Sequence, residues 1–160
     1  GEVGPYYTRM FDDVHEVLDQ LGVEFPEWSE TGYQIVGFGW HQGWNDRITP
    51  FYADRYEDNL VDLVNDVRAE FGKADLPISI ASTGMDPGAS LSPVELAQLA
   101  VADPGQHPEL AAIFASDTRG FWRERTVSPA NEGFHWNQNG ETYFLIGDAM
   151  GEGMKALLRP

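Results

Sequence analysis

Apolar residues recur at helical spacing through the first part of the chain. Tyr7, Met10, Phe11, Val14, Val17, Leu18 and Leu21 share one face, and Gly22 is a stop signal. A second stripe, Tyr52, Tyr56, Leu60, Leu63, Val64, Val67 and Phe71, closes at Gly72. Ser92-Pro93-Val94-Glu95 is a capping box with proline at the first helical position, which predicts a helix to about Ala102. A last helix is predicted from Gly140, with Tyr143, Ile146, Gly147, Met150, Met154 and Leu157 turned inward.

Between these stripes lie three short apolar runs, Gln34 to Phe38, Ile78 to Ala81 and Ala111 to Ala115. None alternates cleanly, as expected of strands covered on both faces. Helix and strand therefore take turns, the pattern of an α/β domain with a parallel sheet and right-handed crossovers. Ligands in such sheets gather beyond the carboxyl ends of the strands. Here that means loops 39–50, 82–91 and 116–138. With no repeat, low-complexity stretch or evident linker, residues 1–160 read as one domain.

Composition narrows the functional classes. A formal charge of −16, from 26 acidic and 10 basic residues, disfavours nucleic acid and anionic membranes, both of which need clustered Lys and Arg. The absence of cysteine excludes disulfides, thiolate metal sites and a thiol nucleophile. No apolar stretch approaches the roughly 18 residues of a transmembrane helix. Gly1-Glu2-Val3-Gly4-Pro5 has no signal-peptide character, which suits a cytosolic chain or one whose leader lies outside it.

The candidate chemistry lies in two loop clusters. Trp40-His41-Gln42-Gly43-Trp44-Asn45-Asp46 follows the first apolar run, and Asn131-Glu132-Gly133-Phe134-His135-Trp136-Asn137 precedes the last helix. Acyl transfer needs a nucleophile, a base, a group that orients the base, and donors facing the oxyanion. Gln42 and Asn45 offer side-chain N–H groups, and Gly43 lets backbone approach a reacting carbonyl. The competing reading of Asn45-Asp46 is an Asx-turn or a cap for a helix near Pro50. His135 is the natural base, with Glu132 three residues earlier to orient it; the alternative is a surface or capping histidine. Asp117, at a strand end, is a second candidate for that orienting acid. His41 reads as a buried histidine satisfied by backbone, or as a second active-site group. No histidine spacing suggests a metal site, and no glycine pattern a phosphate-binding loop, so neither a metal nor a cofactor is expected. Trp40, Trp44 and Trp136 are candidate sugar-stacking residues, with core packing as the alternative.

These clusters resemble blocks of the SGNH hydrolases: Gly-x-Asn-Asp after a strand, and a late histidine preceded three residues earlier by an acid. The wording of residues 40–46 is similar to the sialate O-acetylesterase-like branch, related to carbohydrate esterase family 6. Gly4-Pro5-Tyr6-Tyr7, and the run from Ser128 to Asn137 leading to Ile146-Gly147-Asp148-Ala149-Met150, extend the resemblance over most of the chain. It implies a three-layer α/β/α flavodoxin-like hydrolase that removes O-acetyl groups from carbohydrates without a metal. On that analogy His135 is the base, and Gln42, Gly43 and Asn45 belong to the oxyanion hole. It also favours a secreted or periplasmic location.

Two features depart from the family pattern. The acid is Glu132 rather than aspartate, and no serine stands in a Gly-Asp-Ser or Gly-Gln-Ser-Asn setting. Ser82 and Ser116, each just after an apolar run, are the best-placed serines, but neither occupies a nucleophile-elbow motif. The chain is therefore expected to be the C-terminal portion of a longer hydrolase, with a sheet truncated at its N-terminal side. Such a sheet predicts a homo-oligomer or a partner segment that supplies the missing strands. The rival functional reading is a non-catalytic carbohydrate-binding or interaction domain.

Overall fold

The computed structural model describes residues 3–28, 31–85 and 90–159. Ser29 and residues 86–89 of the expected 82–91 loop lie outside the described residues. The chain forms two compact units, Gly1–Ile35 and Val36–Pro160.

The first unit is built on α1 (Pro5–Glu24), followed by a short 3-10 turn, Pro26–Trp28. The helix runs through Gly22 rather than ending there, because a single glycine weakens a helix without forbidding it. Its stop is Pro26, which lacks the N–H that would continue the hydrogen-bond ladder. Phe25 and Trp28 stack at 5.4 Å between ring centroids and help to line a groove of about 380 Å³ with Leu18, Leu21 and Tyr33.

The second unit holds a three-stranded parallel sheet of β1 (Phe38–Trp40), β2 (Ile78–Ala81) and β3 (Ile113–Ser116), in the order β1-β2-β3. Helices flank it, so the unit is α/β as the sequence pattern implies. Before β2 come α2 (Trp44–Arg47), α3 (Pro50–Ala53) and α4 (Tyr56–Glu70); α5 (Pro93–Ala100) joins β2 to β3, and α6 (Gly140–Leu158) closes the chain.

Two predicted elements moved. The first strand is Phe38–Trp40 rather than Gln34 to Phe38, and the second apolar stripe is split between α3 and α4. The split falls at Arg55, whose guanidinium donates to the Phe51 carbonyl at 3.0 Å while its own N–H turns to Tyr52. The side chain thus takes the carbonyl that the next helical N–H would have claimed.

Strand alternation fixes which residues meet which layer. The register aligns Gly39 with Ser79 and Ser79 with Phe114, so these three form one row across the sheet. The row faces α6: Ser79 Oγ donates to the Met150 carbonyl at 2.8 Å, and Phe114 lies against Gly153. A Cβ on Gly153 would stand 2.0 Å from the Phe114 ring, so glycine is what lets α6 approach. Ile78 and Ile80 point to the opposite face, the side on which right-handed crossovers would place α4 and α5, which pack on each other. At the amino ends of the strands, the buried guanidinium of Arg68 donates to the carbonyls of Leu76 and Ala111 and ties α4 to the approaches of β2 and β3.

A second clamp is ionic. His107 places Nε2 2.9 Å from a Glu57 carboxylate oxygen and Nδ1 3.0 Å from one of Glu109, joining the start of α4 to the loop before β3. Carboxylates only accept, so both ring nitrogens must carry protons. The two carboxylates therefore raise the imidazole above its ordinary value, Glu109 contributing most. A raised folded value means stability that is fully present below the unfolded value of 6.5 and lost as pH rises through the folded one. His107→Gln is expected to lower the melting temperature by a few degrees at mildly acidic pH. Melting curves of the two proteins across neutral to alkaline pH should converge, and a pH-independent gap would remove the charged clamp.

Candidate active site

The strands deliver three loops to one end of the sheet. From β1 the chain turns through His41 and Gln42 into α2, from β2 it passes Ser82, Thr83, Gly84 and Met85, and after β3 a long segment reaches residues 132–138. Gln42, Gly43, Trp44 and Asn45 meet Met85, Phe134 and His135 around an open cavity of about 510 Å³. The two sequence clusters, about ninety residues apart, thus share one site.

The His135 loop is held under backbone strain. Trp136, Asn137 and Gln138 have φ of 51°, 54° and 55°, a left-handed run without a glycine. Each such residue costs on the order of 1–3 kcal/mol unless its surroundings hold it. The Trp136 side chain is fully buried in a cluster with Ala81 and Ile146, and Asn137 Nδ2 donates to the Arg123 carbonyl at 3.0 Å. With Trp136 anchored inward, the preceding residue is turned out: the His135 side chain is 59% exposed. Its Nδ1 lies 3.5 Å from Glu132 Oε2, at the long limit of a hydrogen bond, while Gln138 Nε2 donates to that same oxygen at 2.7 Å. Glutamate therefore does reach the imidazole, but shares its oxygen. Asp117, the other candidate, is instead paired with Arg119 at 2.6 Å, which holds its carboxyl below the usual range.

The β1 loop is more tightly built. Gly43 has φ 147° and ψ −2°, and a Cβ there would lie 2.8 Å from Val94 and 2.9 Å from Thr83. Behind it the Gln42 carbonyl accepts from Tyr56 Oη at 2.7 Å and Gln98 Nε2 at 2.6 Å. Gln98 Oε1 in turn accepts from the Thr83 N–H at 2.9 Å, tying the β1 and β2 loops together. Burial pushes the Tyr56 hydroxyl up to about 12. On the open side the Gln42 amide donates to Asp46 at 2.6 Å, and Asn45 is exposed.

A family model for carbohydrate esterases, the sialic acid-specific acetylesterases, matches residues 4–141. The chain belongs to this family. No curated protein and no solved structure matches it significantly. Membership in an acetylesterase family implies a carbohydrate substrate.

Trp44 lines the cavity and lies 6.0 Å from Phe134, with the Arg47 guanidinium 5.5 Å from its ring. Trp136 is not at the surface, because its indole fills the core beneath the site. Trp40 belongs to the sheet edge, where it stacks on Phe38 and donates to Tyr56 Oη at 3.2 Å; it does not line the cavity. His41 donates from Nδ1 to the Ala81 carbonyl at 3.1 Å, and burial lowers its pKa.

None of the described serines lines the cavity. Ser82 is fully buried and clasped to Thr118: its Oγ accepts the Thr118 N–H at 3.0 Å and its carbonyl accepts Thr118 Oγ1 at 2.7 Å. That excludes it as an accessible nucleophile in this arrangement. Ser116 is the last residue of β3, and its carbonyl accepts the Ser82 N–H at 2.9 Å. Sequence reasoning missed Met85, Tyr56 and Gln98; the two helical residues carried no signal beyond an apolar stripe and one polar position.

Gly43→Ala is expected to destabilise the chain by at least about 2 kcal/mol, combining a left-handed backbone penalty with overpacking. Urea unfolding measures this directly, and an unchanged midpoint would show that the loop relaxes without cost.

Proposed function

We propose that this chain forms the oxyanion and base side of a serine-type carbohydrate O-acetylesterase. The observation that carries the reading is the convergence of Gln42, Gly43 and Asn45 with His135 on one cavity. Gly43 offers a backbone N–H and Asn45 a side-chain amide, and the Gln42 amide, which gives one N–H to Asp46 at 2.6 Å, has a second to offer; these are the donors that a developing oxyanion needs. His135, on the far side, has the exposure to receive a proton from a nucleophile and return it to the leaving sugar oxygen. Glu132 would orient the imidazole through the Nδ1 contact at 3.5 Å. Trp44, with Phe134 beside it, would pack against the sugar ring.

In this mechanism a serine Oγ attacks the acetyl carbonyl as His135 takes its proton. The tetrahedral oxyanion rests on the loop donors. Collapse expels the sugar hydroxyl, which recovers the proton from His135, and leaves an acetyl-serine that water hydrolyses by the same route. With no described serine at the cavity, the reading assigns the nucleophile to a further segment, and the chain would then be the C-terminal part of one hydrolase domain. Among the described residues β1 pairs only with β2, which supports addition of a parallel strand beside the Gln42 loop. That no described serine lines the cavity equally supports glycan binding without turnover by this chain on its own.

Turnover of p-nitrophenyl acetate is expected to be negligible for the 160-residue chain and clear for a form extended upstream. Full activity of the short chain would eliminate the added nucleophile, and an inactive extended form would eliminate the esterase. In the active form His135→Ala should lower kcat by about 10³-fold or more, the usual loss when a triad base is removed. Glycan binding that survives both His135→Ala and Asn45→Ala without hydrolysis would establish the binding-domain reading instead.

A further inference from the structure

We infer that Tyr56 and Gln98 are positioning residues that aim the Gly43 N–H into the cavity by holding the Gln42 carbonyl away from it. The inference rests on the oxyanion reading of the loop and adds what fixes that donor. The described chain has no cis peptide, so the C=O of Gln42 and the N–H of Gly43 point in opposite directions across one rigid plane. Tyr56 Oη at 2.7 Å and Gln98 Nε2 at 2.6 Å hold the carbonyl on the inner side. The N–H is thereby directed outward, where Gly43 lines the cavity, and among the described residues no backbone carbonyl accepts from it.

The two donors are themselves pinned. Gln98 is fully buried; its Oε1 accepts from the Thr83 N–H at 2.9 Å, which fixes the amide so that Nε2 faces Gln42. That same Nε2 lies 3.0 Å from Tyr56 Oη, and Trp40 Nε1 donates to Oη at 3.2 Å. With two N–H groups directed at its oxygen, the Tyr56 hydroxyl proton is left for the Gln42 carbonyl. Burial keeps that phenol protonated throughout the working range of an esterase. Glycine at 43 serves the same end: its backbone conformation is costly to other residues, and a Cβ would sit 3.1 Å from Gln98 Nε2 and push the clamp apart. Two helices that never touch the substrate would thus preorganise an oxyanion donor, the arrangement in which a fixed dipole needs no reorganisation during reaction.

The test uses the full chain, ¹⁵N-labelled, titrated with sodium acetate, whose carboxylate stands in for the oxyanion, against sodium chloride at matched ionic strength. In the wild type the Gly43 amide resonance is expected to shift saturably with acetate alone. In Tyr56→Phe, and separately in Gln98→Met, that resonance should move before any acetate is added. Its acetate Kd should weaken about five-fold, the worth of one neutral hydrogen bond. Thermal melts identify which variants remain folded, and either folded variant decides the matter. An acetate Kd at Gly43 unchanged in a folded variant overturns the positioning role and leaves the oxyanion reading standing. No saturable Gly43 shift in the wild type overturns both.

Discussion

The structure hangs on β2. In a sheet of three strands only the middle one is hydrogen-bonded on both edges, and β2 is buried at all four positions. Its two faces serve different partners: Ser79 and Ala81 meet α6 and the Trp136 cluster, and Ile78 and Ile80 meet the crossover side. Its carboxyl end carries Ser82 and Thr83, the two residues that lock onto the neighbouring loops. Ser82 clasps Thr118 after β3, and the Thr83 N–H reaches Gln98, which holds the Gln42 carbonyl after β1. A change in the placement of β2 would therefore reach both halves of the candidate site through hydrogen bonds rather than through loose packing.

The two halves are prepared to different degrees. The Gln42-Gly43 peptide sits in a dense polar network whose buried partners fix its geometry, and glycine permits the close packing and positive φ that this geometry requires. His135 is presented on a strained turn anchored by Trp136, yet the imidazole itself is largely in solvent and shares its carboxylate with Gln138. This asymmetry has a physical logic. Oxyanion donors gain from rigidity, because reorienting dipoles during reaction costs energy, whereas a base that must meet a nucleophile and then a leaving group benefits from some freedom.

How much was legible in the sequence varied with the physics of each element. The Ile78–Ala81 strand was read correctly because four buried residues between turn signals leave few alternatives. The first strand lies later than the apolar run Gln34 to Phe38 predicts, because apolar character there does not coincide with burial. Tyr33 and Val36 are 58% and 48% exposed, and the strand proper includes Gly39, whose lack of a side chain admits Met150. The site clusters were legible because carboxyl-end loops in parallel sheets collect function, and Gly43, Asn45 and His135 do meet. Trp136 takes the core-packing alternative rather than the sugar-stacking one, because its left-handed backbone turns the indole inward. Tyr56 and Gln98 were invisible, lying 14 and 56 residues from the carbonyl they hold.

Charge supplies the remaining constraint. The chain is strongly acidic, and the basic groups near the loops beyond β3 are largely engaged: Arg119 pairs with Asp117 and Arg123 with Glu141. The cavity lining is different in kind, being aromatic, amide, glycine and Met85, with His135 as the one titratable group among the described residues that line it. In a field of negative charge, a developing oxyanion would be disfavoured unless neutral N–H dipoles were held close and could not turn away. That requirement makes a rigid amide arrangement more useful here than a mobile cation, which neighbouring carboxylates would draw off. On the proposed oxyanion reading, the buried Tyr56 and Gln98 behind Gly43 would meet it without adding a charge of their own.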